Sequence, residues 1–521
     1  MKNISILDTT LRDGAQGAGV QFSLDDHFQI VRILDDLGVG YIEAGCLSES
    51  PAEQAFWKRR PKLKNARYTA FGATMRRGNT PETDPGLQAL AAADTEAVTL
   101  FGKSWLLHVE EVLQCSPQEN LRLVEQSVAH MKALGRLVIF DAEHFFDGWR
   151  ADEAYALEVL RAAARGGADI LALCDTNGGF LPDDCERAVR QVLNSFDTPV
   201  GVHYHNDAGF AAANSVISVL SGACHVQGTI GGLGERCGNA DLIPVIAGLQ
   251  LKRGYHCLPS ESMEKLTHAA RAAAEIANLR VPENTPYVGE NAFRHKAGMH
   301  VDGVMKNPRT FEHIEPEAVG NERCCQLSEM AGRSAILHRV ESLHPGLDKD
   351  SPQVAALLRE LKDKSHAGYT YEGAEASFAL LTRRRLGLYR KLFELISLKS
   401  FSEQPAAGGL ATAIINLRVG DKEALSAGQG NGPVDALAGA LNEALRGFYP
   451  EVDRIRLTDY KVRVLNSQAA TAARVRVLIT STNGKESWTT VGVSEDIIMA
   501  SWQALSDGVE YALTPSADST P

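Results

Sequence analysis

The segment ISILDTTLRDGAQ, residues 4–16, joins an apolar, β-branched run to a polar cluster, and VGVHYHND, residues 200–207, repeats the arrangement. Both patterns are typical of a strand whose end carries functional side chains. Residues two apart on a strand point to the same face, so His203 and His205 present two imidazoles to one side of the sheet. With Asp13 as an acid from another strand, this pattern predicts a mixed nitrogen and oxygen site for a catalytic metal ion.

Short apolar runs recur along the first half of the chain and alternate with segments that have helical spacing of their apolar residues. The eight runs are Ile4 to Leu7, Val39 to Ala44, Tyr68 to Phe71, Ala97 to Phe101, Leu137 to Phe140, Ile170 to Cys174, Val200 to His203, and His225 to Ile230. Eight strand–helix alternations over about 250 residues predict a (β/α)8 TIM barrel. The alternative is a doubly wound open sheet, which normally has a glycine-rich phosphate loop after its first strand. This chain has TLRDGAQ there, so we expect the barrel.

The remainder of the chain predicts two further parts. Residues 276–400 combine an irregular stretch, 282–308, with helical periodicity from Leu327 to Phe393, and predict a helical subdomain. Residues 405–515 alternate like strands and contain two helical segments, which predicts a C-terminal α+β regulatory domain. We place the barrel at residues 1–275 and a linker at SFSEQPAAGG, residues 400–409.

Bulk composition excludes several classes of protein. The chain has 521 residues, 44% of them hydrophobic, and a net charge of -12 that is spread without acidic or basic blocks. This balance argues against a nucleic acid or a membrane as the main partner. No window approaches the roughly 18 apolar residues of a membrane span, and the N-terminus has no apolar signal core. The nine cysteines form no CxxC pair, so we expect reduced thiols in a cytoplasmic protein.

Polar residues follow the predicted strands repeatedly, at the end of a barrel where catalytic groups lie. They are Arg12, Asp13, Glu43, Asp141, Glu143, Asp175, Thr176, His203 and His205. Their convergence predicts an active site on this rim. For Glu43 two roles remain equal, orientation of Arg12 or a solvated acid on the rim.

The motifs LDTTLRDGAQ, HYHND, GGLGERCGNA and GMHVDGVMKNP resemble those of the acyl-CoA-dependent α-keto-acid condensing enzymes, the isopropylmalate, homocitrate and citramalate synthases. The resemblance covers the whole chain. The stretches LFGKSWLLHVEEVL and FDAEHFFDGW are similar to the citramalate synthase branch, whose members join acetyl-CoA to pyruvate. The resemblance therefore implies an acyltransferase that forms (R)-citramalate for isoleucine biosynthesis.

The resemblance also implies a role for each motif residue. A divalent cation, which the residues leave open as Mg, Mn, Co or Zn, would be bound by Asp13, His203, His205 and Asn239. Arg12 would stabilise the charge that develops on the keto oxygen, and Thr176 would hold the substrate carboxylate.

For proton transfer, the resemblance implies that Glu143 and His300 act as the acid/base pair on acetyl-CoA. His144 is an alternative base by its position next to Glu143. The family usually has a tyrosine where this chain has Phe311, so one hydroxyl of the proton path is missing. In this family the loop with the GMHVDG histidine reaches a partner's active site, which implies a homodimer.

Three other functions compete with this one. The same chemistry on a larger 2-oxo acid would make the chain a 2-isopropylmalate or homocitrate synthase. A lyase of the same superfamily is disfavoured because such lyases generally lack the additional C-terminal domain. A non-catalytic sensor would suit that domain, which by resemblance binds an end-product amino acid, most plausibly isoleucine, but the intact catalytic motifs argue against it.

Two further motifs have structural interpretations. GGLGER lacks the lysine of a phosphate-binding loop, and we assign it to shaping of the rim backbone. The basic stretch TRRRLGLYRK, residues 382–391, is expected to be a solvated helix face rather than a site for CoA phosphates.

Overall fold

The computed structural model describes residues 2–45, 51–295, 298–325, 340, 350–371, 373–402, 410–465, 473–484 and 486–514. The chain divides into two compact units. The first comprises Met1–Phe293 with His313–Arg323, and the second comprises Arg294–Glu312 with Cys324–Pro521. Within the described residues, no helix has both the length and the apolar character that a membrane span requires.

Eight parallel strands close into a barrel in the first unit, which confirms the predicted fold. The strands are β1 (Ser5–Asp8), β2 (Tyr41–Glu43), β3 (Arg67–Ala73), β4 (Ala97–Lys103), β5 (Leu137–Glu143), β6 (Ile170–Asp175), β7 (Val200–Tyr204) and β8 (His225–Gly228). Closure comes from the pairing of β8 with β1, in which Ser5 lies beside His225. Each strand coincides with one of the eight apolar runs.

Helices connect the strands and surround the barrel. They are α1 (Leu24–Leu37), α2 (Pro51–Arg59), α3 (Pro85–Ala92), α4 (Leu106–Glu111), α5 (Pro117–Ala133), α6 (Phe145–Ala151), α7 (Glu153–Gly166), α8 (Pro182–Ser195), α9 (Ala211–Ser221), α10 (Leu242–Arg253) and α11 (Leu266–Ile276). Short 3-10 helices lie at Gly14–Gln16, Ile230–Gly232, Ser260–Lys265 and Pro316–Val319. Side chains cap the starts of several of these helices; at α1, for example, Ser23 and Asp26 form a capping box.

The strand alternation divides the barrel into an outer apolar face and an inner face of two layers. Outward-facing residues such as Leu100 and Tyr204 are fully buried against the helices, and the Tyr204 hydroxyl lies 2.8 Å from Ser218 Oγ. The lower inner layer is an apolar cluster of Leu7, Ile139, Ile170 and Ala172. The upper inner layer is polar and contains Glu43, Thr69, Thr99, Asp141, His203 and Gln227, all buried. Polar chemistry is thus concentrated at the carboxyl end of the strands.

The second unit begins with short elements. Strand β9 (Arg294–His295) pairs in parallel with β10 (Cys324–Cys325), and α12 (Gly298–Lys306) lies between them in sequence. This helix falls in the stretch predicted to be irregular. Its glycines obscure the helical pattern, although Val301 and Val304 are both buried.

Two longer helices follow, α13 (Pro352–His366) and α14 (Glu375–Arg385), in the segment predicted to be helical. Arg384 on α14 is exposed, which agrees with the predicted solvated face, but it also forms two ion pairs. Its guanidinium lies 2.9 Å from Asp507 Oδ1 and 3.1 Å from Glu510 Oε2. Sequence spacing alone could not reveal these acids, because they lie more than a hundred positions along the chain.

The C-terminal part contains two antiparallel three-stranded sheets, each followed by a helix, as expected for an α+β domain. The first repeat has β11 (Glu394–Ser402), β12 (Ala411–Val419), β13 (Lys422–Gly430) and α15 (Pro433–Arg446). The second has β14 (Arg456–Val464), β15 (Val475–Thr482), β16 (Ser487–Ser494) and α16 (Ile497–Leu513), after a 3-10 helix at Pro450–Arg454. Both repeats share one apolar core. Most of the linker predicted at residues 400–409 lies outside the described residues.

Candidate active site at the barrel rim

Arg12 and Asp13 lie in a tight turn directly after β1. The carbonyl oxygen of Thr9 accepts the backbone N–H groups of Arg12, Asp13 and Gly14 at 3.1, 2.8 and 3.1 Å. The Thr9 hydroxyl in turn donates to the carbonyl oxygen of Gly228 at 3.1 Å, which ties the turn to β8. The backbone of LDTTLRDG therefore holds both side chains in fixed positions over the barrel opening.

Asp13, His203 and His205 converge as the sequence predicted. Each offers one ligand atom, and these three atoms lie within 4.8 Å of one another. Asp13 Oδ2 is 3.5 Å from His203 Nε2, and all three residues are buried. A carboxylate and two imidazoles at this spacing form a donor set suited to a divalent cation.

The hydrogen bonds of His203 assign the nitrogen that faces the cluster. His203 Nδ1 lies 3.1 Å from Gln227 Oε1, and Gln227 Nε2 donates to Asp141 Oδ1 at 2.7 Å. Since the amide nitrogen of Gln227 donates to the Asp141 carboxylate, the amide oxygen of Gln227 is the atom that accepts from His203 Nδ1–H. The lone pair is therefore on Nε2, which faces Asp13, and this is the tautomer of a metal ligand.

Asn239 is the fourth predicted ligand, and it lies next to His205. It pairs with His205 in an isolated β-bridge, and its Nδ2 donates to the carbonyl oxygen of Leu233 at 2.9 Å. Among the described residues, Asp13 Oδ1, His205 Nδ1 and Asn239 Oδ1 are buried and have no hydrogen-bond partner. Buried acceptors without partners are costly, and a cation would satisfy them. The residues therefore fit a divalent metal ion.

The glycines of GGLGER give this segment its shape. Gly234 has φ +150°, and a Cβ atom there would lie only 2.2 Å from Asn239 Nδ2. A side chain at this position would displace the asparagine. This contact supports the interpretation of the motif as backbone shaping.

The guanidinium of Arg12 is fixed on three sides. Its Nε lies 2.6 Å from Glu43 Oε2, its NH1 group 3.0 Å from Asp13 Oδ2, and its Cζ 3.7 Å from the centre of the Phe71 ring. Glu43 is fully buried, so of its two predicted roles the structure shows the orientation of Arg12. The guanidinium is thus preorganised before any substrate arrives.

Burial and charge shift the pKa values of these groups in different directions. Burial alone would raise the pKa of Asp13, but the charge of Arg12 is the largest of the opposing effects, and the pKa is lowered to about 2. Burial lowers the pKa of His203 to about 3. Burial also raises the pKa of Asp141 well above its usual value. The cluster therefore presents an ionised Asp13 beside neutral imidazoles, which are the states that bind metals.

Glu143 and Thr176 lie at the ends of neighbouring strands. Glu143 Oε2 forms an ion pair with Lys103 Nζ at 2.5 Å, and Lys103 ends β4. Thr176 follows β6, and its Oγ1 accepts the backbone N–H of His144 at 2.9 Å. The strand ends thus place a carboxylate and a hydroxyl on the rim that bears Arg12.

His300 belongs to the second unit, so its part in the site stays a prediction. It lies on α12, is exposed, and stacks on the ring of Phe311 with the ring centres 4.2 Å apart. The residue in the usual tyrosine position therefore contacts the predicted acid/base histidine through its ring face.

Three structural participants were not singled out from the sequence: Lys103, Gln227 and Phe71. Gln227 lies two positions after His225 on β8, so the strand period places it inside the barrel. Lys103 ends β4 and could have been found by the same rule that found Glu143.

Three family models match successive parts of the chain. Residues 3–273 match the HMGL-like family, residues 287–368 the homocitrate synthase post-HMGL domain-like family, and residues 372–513 the LeuA allosteric (dimerisation) domain. The first match alone spans more than half of the chain.

Curated relatives are similar over almost the entire length. The (R)-citramalate synthase of Aquifex aeolicus is 46% identical over 98% of this chain and 98% of its own. That of Geobacter sulfurreducens is 43% identical over 99% of both chains. A probable 2-isopropylmalate synthase of Methanopyrus kandleri is 32% identical over 97% of both. The matched domains and these full-length identities show that the chain belongs to the HMGL-like family, in its group of (R)-citramalate synthases.

Proposed function

We propose that the protein is an (R)-citramalate synthase, an acyltransferase that condenses acetyl-CoA with pyruvate and hydrolyses the thioester to release citramalate and CoA. The observation that carries this proposal is the convergence of Asp13, His203 and His205 beside the preorganised Arg12. The named citramalate synthases at 43–46% identity support pyruvate as the acceptor.

Asp13, His203, His205 and Asn239 would hold the divalent cation, which is Mg, Mn, Co or Zn by donor chemistry. When bound, this cation supplies Lewis acidity toward the carboxylate and keto oxygens of the 2-oxo acid. The protein itself contributes the ionised carboxylate of Asp13 to balance the charge of the cation.

Arg12 would stabilise the negative charge that develops on the keto oxygen during attack. Its position is fixed by Glu43 and Asp13, so no reorganisation is needed at that moment. Thr176 would hold the substrate carboxylate, since its oxygen accepts from His144 while the same hydroxyl can donate its own hydrogen.

Glu143 and His300 would remove a proton from the methyl group of acetyl-CoA. The contact of its carboxylate with Lys103 holds Glu143 in place at the end of β5. The resulting enolate attacks the keto carbon of pyruvate, and water then cleaves the thioester.

The aromatic pair Phe71 and Phe101 supports a small 2-oxo acid. These rings stack with centres 5.0 Å apart at the ends of β3 and β4, and Phe71 also covers Arg12. Bulky rings beside the group that faces the substrate oxygen leave room for a methyl group in preference to a longer side chain. A 2-isopropylmalate or homocitrate synthase would need more space beside these two rings for the longer side chain of its 2-oxo acid.

The LeuA-type domain supports regulation and a dimeric assembly. We propose isoleucine as the effector because it is the end product that the reaction would feed. Linkage then requires that isoleucine and any substrate whose affinity it lowers weaken each other's binding equally.

The test follows CoA release with a thiol reagent, using the full chain and pyruvate, 2-oxobutyrate, 2-oxoisovalerate, 2-oxoglutarate or oxaloacetate, each with and without EDTA. We expect metal-dependent release with pyruvate far above the other acids, and inhibition by isoleucine. Preference for a larger acid would instead assign the chain to the 2-isopropylmalate or homocitrate synthases. No release with any of the acids would refute the synthase function.

A further inference from the structure

His144 has a backbone conformation that its surroundings must impose. It directly follows Glu143, has φ +56° and ψ +33°, and is only 7% exposed. Left-handed backbone is uncommon for residues other than glycine, and such positions cluster at functional sites.

One hydrogen bond, to Asp147, orients the ring of His144. Its Nδ1 lies 3.4 Å from Asp147 Oδ2, and the same oxygen accepts from Asn177 Nδ2 at 3.0 Å. A carboxylate on Nδ1 selects the tautomer in which Nε2 carries the lone pair. The distance is long for a hydrogen bond, as is common for catalytic pairs in the absence of substrate.

A second imidazole packs on this ring. The centres of His108 and His144 are 4.1 Å apart, and Trp105 stacks on His108 at 5.3 Å. Burial and the neighbouring His144 lower the pKa of His108, so this ring stays neutral. Its Nδ1 is buried and has no partner among the described residues, which leaves it able to bind a water molecule.

The cluster is linked to the proposed catalytic groups through the backbone. The N–H of His144 donates to Thr176 Oγ1 at 2.9 Å, and Glu143 is its sequence neighbour. Glu143 forms its ion pair with Lys103 and is assigned to the acetyl-CoA methyl group. A second base for the second chemical step is therefore available on the same rim.

We propose that His144 is the catalytic base that activates the water for thioester cleavage, with Asp147 and His108 as positioning residues. This assignment rests on the proposed condensation and deepens it. His144 Nε2 takes a proton from water while the oxygen forms a bond to the thioester carbonyl carbon. The C–S bond then breaks, and the proton on Nε2 passes to the leaving CoA sulfur. The products are citramalate and CoA, and His144 returns to its neutral state.

The test uses the full-length protein with acetyl-CoA, pyruvate and the activating metal in rapid-quench mixing. Mass spectrometry follows acetyl-CoA, citramalyl-CoA and citramalate in wild type, H144Q and D147N. A matched control is H130Q. His130 lies on α5, and its imidazole also faces a carboxylate, that of Glu82. Its kinetics are expected to equal those of wild type.

We expect H144Q to consume acetyl-CoA and accumulate citramalyl-CoA, with thioester cleavage slowed about 100-fold or more. D147N should accumulate the same thioester with a smaller, about 10-fold, loss, because it disturbs only the orientation of the ring. A merely structural role would slow both steps together and accumulate nothing.

Equal loss of acetyl-CoA consumption and CoA release without citramalyl-CoA, or wild-type cleavage in H144Q, would overturn the proposal. If H144Q fails to fold, the same criteria apply to D147N. Wild-type protein that forms neither citramalyl-CoA nor citramalate would refute the proposed function itself, so the two failures are distinguishable.

Discussion

Arg12 Nε donates to Glu43 Oε2 across 2.6 Å, and this contact joins the turn after β1 to the end of β2. Glu43 has no exposed surface, so its charge acts on the arginine rather than on solvent. In the proposed site the two neighbours in this turn have different roles, because Asp13 would bind the metal ion while Arg12, oriented by Glu43, would contact the substrate.

Replacement of Glu43 by Gln tests the orientation of Arg12. Glutamine preserves the shape and an acceptor oxygen but removes the charge, so the guanidinium is held more loosely. We expect kcat to fall about 10-fold, equivalent to about 1.4 kcal/mol of transition-state stabilisation, with unchanged metal content. Steady-state kinetics and elemental analysis measure both quantities. A loss of metal with unchanged kcat per bound metal would contradict this role.

The metal content of variants should distinguish the proposed metal ligands from Arg12. His205→Ala and Asp13→Ala are expected to lose both metal and turnover, because each removes one of the clustered ligand atoms. Arg12→Ala should retain the metal and lose catalysis by about 100-fold or more. Elemental analysis of the purified variants decides this point. Full metal content in His205→Ala would contradict the site.

Acidification should destabilise the barrel through His225. Burial lowers the pKa of this fully buried imidazole from 6.5 to about 3. Between these values the unfolded chain binds a proton that the folded chain does not. The free energy of unfolding therefore falls as pH drops below about 6.5, by about 1.4 kcal/mol per pH unit from this group. Above that pH the contribution is fully present.

The measurement is urea unfolding at pH 7.5, 6.0 and 5.0 for wild type and His225→Phe. The variant should lose less stability on acidification than wild type, because phenylalanine does not titrate. Parallel curves for the two proteins would show that His225 does not carry this dependence. The comparison cancels the contributions of other buried histidines such as His203.

Removal of Arg384 should destabilise the second unit. Arg384→Met leaves the carboxylates of Asp507 and Glu510, 19% and 7% exposed, without their cation. Breaking a buried pair costs about 3–5 kcal/mol, and the 39% exposure of Arg384 favours a smaller value. Thermal and urea unfolding measure the loss. Arg446→Met is a matched control, because its ion pairs with Glu443 and Asp453 are exposed and should contribute little.

Removing one ring of the Phe71–Phe101 pair should change substrate preference. Phe101→Ala removes one ring of the pair with Phe71, so larger 2-oxo acids should fit. We expect the ratio of kcat/KM for 2-oxobutyrate to that for pyruvate to rise about 10- to 100-fold. Phe401→Ala, at a 52% exposed phenylalanine of β11, should leave the ratio unchanged. An unchanged ratio in Phe101→Ala would show that Phe101 does not limit the size of the 2-oxo acid.

The sequence predicted the barrel well because strand periodicity is local. Eight apolar runs became eight strands, and the period of two placed His203 and His205 on one face. Contacts between distant strands could not be predicted in the same way. Gln227 meets Asp141 from 86 positions away, and nothing near either residue indicates the partner.

One strand of the C-terminal domain has no strong local pattern. Strand β13, KEALSAGQG, is rich in glycine and alanine and has no buried residue. It is defined by its pairing with β12 along nine residue pairs rather than by a hydrophobic alternation of its own. Tertiary pairing therefore overrides the local preference of these residues.

The chain of contacts from His203 through Gln227 to Asp141 has a consequence for protein engineering. These residues lie on β7, β8 and β5, so a change in one strand alters the electrostatic environment of His203, a predicted metal ligand on another strand. A chimera that imports β5 alone from a relative with a different residue at position 141 would leave the Gln227 amide without its acceptor. Transplantation of substrate preference between such enzymes must therefore move the three strands as a single module.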